Sequence, residues 1–187
     1  HEHERGVDAG YAKFETFPIW NLPLKHPVNL AYEAATADLD DVNMIDPFHL
    51  EAYGETTVNY NRDVEIFPVL RAIFQQIFGE SPYKSPTDMG VKMAGNCIID
   101  DEAGREASRQ EIIRRYYSAL DQMADGKDNE SEVGKIALLL KQARITTEYR
   151  RVTVAAKQRE ATAGNPSAAI ELSDGTILSA ETSDLLG

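Results

Sequence analysis

The chain has 187 residues and a formal net charge of −12, with 42% hydrophobic and 27% charged residues. This composition is ordinary for a globular chain that can bury a core. The acidic balance argues against a nucleic-acid backbone or an anionic membrane as a partner. No apolar run approaches the roughly 18 residues that a membrane span requires. We therefore expect neither a nucleic-acid nor a membrane partner.

Cys97 is the only cysteine, which excludes an intrachain disulfide and a thiolate zinc cluster. We interpret it as a small buried hydrophobe. No secretory signal pattern is present, and we expect a cytoplasmic location. The sequence opens HEHERGVDAGY without Met, and we interpret the chain as a fragment of a longer protein.

The first predicted elements are a strand over 11–20, YAKFETFPIW, and a helix over about 26–39 that starts at Pro27. The charges of this helix are reversed with respect to its dipole. Basic residues lie at its start and acidic ones at its end, whereas a helix favours the opposite. Either the helix tolerates an unfavourable dipole, or an anion binds at its start and a cation at its end.

Two more helices are predicted in the first half of the chain. Asp46-Pro47 supplies a cap and a first helical residue, and Gly54 a stop, for a two-turn helix in DPFHLEAYG. A longer helix is predicted over 62–78, where apolar residues form one broad stripe. Pro68 is expected in or near the first turns of this helix.

The turn-rich segment SPYKSPTDMG is expected to begin a helix near Thr87 or Asp88. Another helix starts at Asp100 or Asp101. A further helix follows Asn129, which with its neighbours resembles a capping box.

The last predicted elements are a helix over about 146–163 and a β-hairpin. Asp174-Gly175 supplies a two-residue turn in AAIELSDGTILSA, with Leu172 facing Ile177. The predicted fold is therefore α+β and helix-rich: about six helices, an N-terminal strand and a C-terminal β-hairpin. Two portions are expected, an α/β portion over 1–100 and a helical portion over 101–187 that ends in the hairpin.

Common catalytic motifs are absent. The sequence contains no G-x-x-x-x-G-K phosphate loop, no G-x-G-x-x-G, no H-E-x-x-H and no G-x-S-x-G. Three groups of residues remain as candidates.

The first group is Lys25 and His26 at the predicted helix start. Free N–H groups and a cation at this position would bind an anion, such as the phosphate of a cofactor. The alternative is that His26 is a neutral N-terminal residue and Lys25 points to water.

The second group is an acidic segment. Asp38 and Asp41, with their acidic neighbours, supply hard oxygen ligands that would suit Mg²⁺. Asp46 and His49, one helical turn apart, are candidates for catalytic proton transfer on the wall of a cleft. The alternative is a set of helix caps and solvated turns, with His49 packed and hydrogen-bonded.

The third group is Lys84, Ser85 and Thr87 in the turn-rich segment. A lysine with two hydroxyls at a helix start would bind a phosphate group. Helix capping alone also explains Ser85 and Thr87, so Lys84 is the unusual member.

The long segment from GYAKFETFPIWNLPLKHPVNLAYEAATADLDD to VEIFPVL, followed by SPYKSPTDMG and ASRQEIIRRYY, strongly resembles the bacterial domain-of-unknown-function family 1846. The resemblance is most specific over about 10–117. It implies a larger parent protein of α/β character. It also implies a glycine-rich segment upstream that ends in Gly-Lys and looks like a nucleotide phosphate loop.

These observations lead to two hypotheses. The chain is the substrate-side part of a nucleotide- or phosphate-dependent enzyme, inactive alone, with Mg²⁺ and a nucleotide bound mainly by the missing upstream half. Alternatively, it is a structural or assembly module that contacts the rest of its parent chain or forms a homo-oligomer.

Overall fold

The computed structural model describes residues 3–7, 17–90 and 94–183. In these ranges the chain forms helices and four short strands, with 3-10 turns at His3–Arg5, Ala37–Leu39, Ala94–Cys97 and Thr147–Tyr149. The α-helices are α1 Pro27–Ala35, α2 Pro47–Tyr53, α3 Asn61–Phe78, α4 Pro86–Met89, α5 Asp101–Ala124, α6 Glu130–Gln142 and α7 Arg151–Ala163. The strands are β1 Asn43–Ile45, β2 Val58–Tyr60, β3 Ser167–Glu171 and β4 Ile177–Glu181.

The helix-rich α+β class and the C-terminal hairpin are confirmed. The predicted strand over 11–20 lies outside the described residues as far as residue 16, and residues 17–20 form no strand. The strands of the first half are β1 and β2, which pair antiparallel with Met44 opposite Asn59. Each has only three residues, which is too short for the alternation that identifies a strand in a sequence.

The first helix is shorter than predicted. α1 ends at Ala35, and a 3-10 turn follows that closes with Asp40 in the left-handed conformation, φ 56°. Aspartate tolerates this conformation better than most residues. Asp38, Asp40 and Asp41 therefore lie beyond the last turn of α1. The alternative of an unfavourable dipole does not arise at this end of the helix.

The main hydrophobic core lies between α1, α5 and α6. Leu30 of α1 is buried with Ile112 and Ile113 of α5 and with Ile136 and Leu139 of α6. The core therefore joins residues on both sides of position 100. The predicted division into 1–100 and 101–187 stays a prediction.

The small β1–β2 sheet is attached to this core through α1. Asn43 of β1 donates its backbone N–H to Glu33 (3.0 Å) and its side-chain amide to the carbonyl of Asn29 (2.7 Å). The hydroxyl of Tyr60 in β2 donates to the carbonyl of Tyr32 (3.0 Å). These bonds fix the sheet, and with it α2, against the helical body.

α3 confirms the predicted helix over 62–78 and ends at Gly79, which has φ 82°. It begins at Asn61, so Pro68, expected in or near the first turns, is the eighth residue and lies inside the helix. A proline there has no N–H for the carbonyl of Val64. Val64 and Phe67 are its buried residues, whereas most of its C-terminal half is exposed.

The helices of the second half start near the predicted residues. Asp100 caps α5 by accepting from the N–H of Ala103 (2.9 Å). Asn129 precedes α6, but it makes no side-chain cap; its amide donates to the carbonyl of Ala119 (2.9 Å), so the predicted capping box is wrong. Cys97 is exposed, in contrast to the predicted burial.

The hairpin differs from prediction by one residue of register. Ile177 pairs with Glu171, not with Leu172, and the N–H of Leu172 donates to the carbonyl of Thr176 (2.8 Å). The loop therefore has three residues, and Gly175 adopts φ 84° as such loops require. Within the described ranges, no helix is both long and apolar enough to cross a membrane.

Candidate functional site

Four of the predicted site residues come together in one buried polar cluster. Asp46 and His49 belong to the start of α2, and Ser85 and Thr87 to the start of α4. All four are at least nine-tenths buried. We call this set, together with Thr57, Asn59 and Asp88, the Asp46–Ser85 cluster.

Asp46 holds the cluster together. Its Oδ1 accepts the N–H groups of Phe48 (3.0 Å) and His49 (3.1 Å), which caps α2. Its Oδ2 accepts the N–H (3.1 Å) and the hydroxyl (2.7 Å) of Thr87 and the amide of Asn59 (3.2 Å). A carboxylate offers about four lone-pair directions, so both oxygens are fully used. This geometry favours a positioning role, and the predicted proton-transfer role of Asp46 stays a prediction.

The hydroxyl of Thr87 donates one hydrogen bond, and the direction of the hydrogen bonds around it follows from this. This hydroxyl has one hydrogen, which is directed to Asp46. Thr57, whose hydroxyl oxygen lies 2.8 Å from that of Thr87, must therefore be the donor. The amide of Asn59 also donates to Thr87 (2.7 Å). Thr87 is thus fixed in one orientation by four hydrogen bonds with three residues, Asp46, Thr57 and Asn59.

His49 and Ser85 form a directly hydrogen-bonded pair in the cluster. Nδ1 of His49 lies 2.8 Å from Oγ of Ser85, and both side chains are buried. The other ring nitrogen, Nε2, faces Glu55 at 3.8 Å, and the side chain of Glu55 is 69% exposed. The imidazole therefore lies between a buried hydroxyl and the protein surface, an arrangement suited to moving a proton between them.

Asp88 also orients Ser85, and its Oδ1 lies 3.9 Å from Nδ1 of His49. Ser85 Oγ accepts the N–H of Asp88 (3.2 Å), and Asp88 Oδ2 accepts the N–H groups of Lys84 (2.8 Å) and Ser85 (3.1 Å). This is a reciprocal capping box at the start of α4. The hydroxyl of Tyr53 also donates to Asp88 Oδ2 (3.0 Å), which links the end of α2 to the same turn.

The surface side of the cluster carries a lysine and an aromatic ring. Lys84 is exposed, and its Nζ lies 5.6 Å from the centre of the Tyr53 ring. The ring of Tyr53 also packs against that of His49, with centroids 4.6 Å apart. The ammonium group of Lys84 and the imidazole of His49 therefore both lie against the ring of Tyr53.

Asp46 and His49 are adjacent, and both side chains are buried; their predicted position on the wall of a cleft stays a prediction. Two cavities formed by described residues lie elsewhere. One of about 620 Å³ is lined by Tyr117, Ser118, Leu120 and Asp121 of α5. The other, of about 510 Å³, lies between α5 and the start of α7.

Lys25 and His26 lie apart from the Asp46–Ser85 cluster, at the start of α1. Nδ1 of buried His26 accepts the N–H of Val28 (3.3 Å), and Nε2 lies 3.0 Å from Asp101 of α5. Since Nδ1 accepts, Nε2 of the neutral ring carries the proton and donates to Asp101. Burial lowers the pKa of His26, positive Arg105 lowers it further, and Asp101 opposes both. A side chain therefore caps this helix, as in the alternative of a neutral N-terminal His26; the anion-binding role of Lys25 and His26 stays a prediction.

Asp38 and Asp41 are separated by their surroundings. Asp38 is exposed. Asp41 is buried, with Oδ2 lying 3.3 Å from the guanidinium of Arg62, and its carbonyl accepts from Lys135 (2.6 Å). Among the described residues, no group of three or more His, Cys, Asp or Glu side chains is arranged to hold a metal ion. The predicted Mg²⁺ ligand role of the two aspartates stays a prediction.

Sequence reasoning missed four members of this region: Tyr53, Glu55, Thr57 and Asn59. Thr57 and Asn59 are two residues apart, which places them on one face of an extended segment. That spacing is the only signal, and it required knowledge that β2 is a strand. Nothing in the local pattern identifies Tyr53 or Glu55.

The fold is thus a helix-rich α+β body that carries a compact polar cluster, and comparisons place it in a family. The family described as "Domain of unknown function DUF1846, N-terminal" matches residues 1–144, and the chain belongs to this family. A UPF0371 protein of Corynebacterium urealyticum is 58% identical over 187 residues. UPF0371 proteins of Streptococcus pneumoniae and Streptococcus thermophilus are each 60% identical. Each comparison covers 100% of this chain but 38% of the relative, so the chain spans less than half the length of these proteins.

Proposed function

We propose that this chain is the substrate-side part of a nucleotide- or phosphate-dependent enzyme, with the Asp46–Ser85 cluster at the site of chemistry. The rest of the parent protein would bind most of the nucleotide and any Mg²⁺. The relatives support an incomplete site, because this chain covers 38% of their length. The reaction therefore depends on residues outside this chain.

The observation that carries the proposal is the pair formed by His49 and Ser85. A hydroxyl 2.8 Å from an imidazole nitrogen is within the range for proton transfer. Burial removes competing water, which strengthens such interactions. Structural caps need no histidine, and Ser85 already caps α4 through its contact with Asp88. In this proposal His49 exchanges a proton with the Ser85 hydroxyl and passes it towards Glu55.

Lys84 supplies the charge that an anionic substrate requires. It is exposed next to Ser85, and Tyr53 keeps its ammonium group near the imidazole. A phosphate group bound there would contact Lys84 and approach Ser85 and Thr87. Lys25 lies at a helix start already capped by His26, so we assign it a weaker anion contact than Lys84.

The test is calorimetric titration of the full-length parent protein with ATP and Mg²⁺, and separately with inorganic phosphate. Lys84→Ala should weaken binding about ten-fold or more, the value of a charge-assisted hydrogen bond. Lys25→Ala should have a smaller effect. Lys127→Ala is the matched control, because Lys127 is an exposed lysine far along the chain that contacts Gln122. Unchanged affinity in both Lys84→Ala and Lys25→Ala would overturn the phosphate assignment.

A second candidate function is assembly within the parent protein. Val69, Ile73 and Ile77 recur every four residues along α3, and all three are exposed. Such a stripe on a helix ordinarily packs against another element. We assign its partner to the rest of the parent chain, because most of the length of the relatives lies outside this chain. Ile73→Lys lowering the melting temperature of the full-length protein, without affecting ligand affinity, would favour this role.

A further inference from the structure

α7 and the β3–β4 hairpin form a small unit that follows the main core. The unit lies beyond residue 144, where the match to the N-terminal family ends. No residue of α7, β3 or β4 is fully buried among the described parts of the chain. The residues just before α7 make polar contacts with α5: Tyr149 donates to Glu106, and Arg150 donates to Gln110 (3.0 Å).

Ion pairs identify the face of the hairpin that packs on α7. Arg151 at the start of α7 contacts Glu171 at the end of β3 (2.8 Å), and Arg159 contacts Glu181 at the end of β4. In a strand, residues two apart share a face. The inner face therefore carries the odd-numbered positions of both strands, from 167 to 171 and from 177 to 181.

The outer face of the hairpin is entirely apolar. It consists of the even-numbered positions, which include Ile170 opposite Leu178 and Ala168 opposite Ala180. Ile170 is 60% exposed and Leu178 is 54% exposed. An antiparallel sheet that faces water on one side normally has polar residues on that side. An outer face made only of apolar residues departs from this rule and indicates that a further layer covers it.

The hairpin also has open edges. Within the described residues, β3 and β4 pair only with each other. A two-stranded sheet is marginally stable alone and ordinarily needs further strands or a packed layer. In the described ranges, α7 covers one face of the hairpin.

We propose that the outer face of the hairpin packs against a segment of the parent protein that lies outside residues 1–187. That segment supplies an apolar layer opposite α7 and completes a sheet covered on both faces. The hairpin is then one of the places where this chain contacts the rest of its protein.

The size of the face favours a segment of the same protein over a second copy of the chain. Two five-residue strands present a face on the order of 200 Å², from about 3.4 Å per residue and about 4.8 Å between strands. A specific protein–protein interface needs about 800 Å² on each partner. A face this small suits one part of a larger core, and the relatives have the additional length to supply it.

The test measures cysteine labelling in the full-length parent protein with Cys97→Ser as background. Ile170→Cys and Leu178→Cys place thiols on the outer face, and Ser173→Cys places one in the exposed turn of the same hairpin as the matched control. Maleimide labelling is read peptide by peptide by mass spectrometry, and rates in denaturant correct for intrinsic reactivity. We expect the two outer-face thiols to react at least about 100-fold more slowly than the turn thiol, because they react only after local opening.

Two outcomes would overturn the proposal. Labelling of all three thiols at comparable rates would show an uncovered face. Protection that disappears on dilution would assign the face to a second copy of the chain. Hydrogen exchange of the unsubstituted protein tests the proposal without any cysteine variant, so a poorly folded variant does not affect it. Peptides over 167–181 should exchange as slowly as those of α6. Fast exchange of these peptides would contradict the proposal.

Discussion

Asp46 accepts five hydrogen bonds from groups that include the backbone of α2 and of α4. Its removal would leave several buried donors without a partner, and each such donor costs about 1–3 kcal/mol. Asp46→Ala should therefore lower the free energy of unfolding by at least about 3 kcal/mol. Denaturant unfolding of the full-length protein measures this loss.

Asp38→Ala is the control for that substitution. Asp38 is exposed in the same acidic segment, so its removal should change stability by less than about 0.5 kcal/mol. Similar effects of the two substitutions would contradict the positioning role of Asp46. A Mg²⁺-dependent loss of stability confined to Asp38→Ala would instead support the metal site predicted from the sequence.

His26 should make stability depend on pH. Its pKa in the folded protein lies below the ordinary 6.5, chiefly because of burial and then because of positive Arg105. Between the folded pKa and 6.5, the unfolded chain binds the proton and the folded chain does not. Stability is therefore full above about pH 6.5 and falls as the pH drops towards the folded pKa. Thermal unfolding at pH 7.5 and 5.5 measures this difference.

His26→Asn is the matched variant, because asparagine keeps a helix cap without titrating. The melting temperature of this variant should fall less than that of the parent between the two pH values. Titration of Asp101, the hydrogen-bond partner of His26, does not contribute to the difference between pH 7.5 and pH 5.5. The pKa of Asp101 lies below the ordinary 3.8, mainly because Arg105 donates a hydrogen bond to it. The stability that Asp101 contributes is therefore lost only below the pH range of this experiment. Equal pH dependence in the two proteins would exclude His26 as the titrating group.

At the scale of elements, α6 offers a direct test of the core. Ile136 is fully buried between α1 and α5, whereas Leu138, two residues later, is 57% exposed. Ile136→Ala should cost about 2–5 kcal/mol, because the cavity closes only partly. Leu138→Ala on the same helix should cost less than about 1 kcal/mol. Comparable losses of unfolding free energy in the two variants, measured by denaturant unfolding, would contradict the packing of α6 with Ile136 inside and Leu138 outside.

The sequence predicted elements where a local signal marks both ends. α2 lies between Asp46-Pro47 and Gly54, and α3 ends at Gly79, as their caps indicate. The end of α1 was not predictable in this way, because neither Gly nor Pro follows Ala35. There the chain turns through Asp40 in a left-handed conformation, which sequence patterns favour only weakly. The short strands β1 and β2 gave no periodic signal.

The candidate site was predictable as residues but not as a cluster. Asp46, His49, Ser85 and Thr87 were each identified from caps and polar side chains. Their contacts join residues 36 and 41 positions apart, and no local pattern encodes such pairs. The groups at Lys25 and Asp38 were identified by the same reasoning, yet they lie elsewhere. Local chemistry therefore identifies candidates, whereas long-range packing determines which of them meet.

At the scale of the whole molecule, the core that joins α1 to α5 and α6 should make these helices unfold together. Leu30, Ile112 and Ile136 share one hydrophobic cluster. In contrast, Tyr149 and Arg150, just before α7, contact α5 through polar groups. In native-state hydrogen exchange of the full-length protein, Ile136→Ala should lower the opening free energy of α1, α5 and α6 by equal amounts.

Peptides of α7 and the hairpin are the internal control for that measurement. Their contacts with the core are few, so their opening free energy should change much less than that of α1. A change confined to α5 and α6, with α1 unaffected, would instead support the division at residue 100 predicted from the sequence. A uniform change over the described chain would mean that the hairpin unit is coupled to the core through the remaining part of the parent protein. The exchange pattern of α1 therefore decides between two alternatives. Either α1 unfolds together with the residues beside it in sequence, or it unfolds together with α5 and α6, which pack on it.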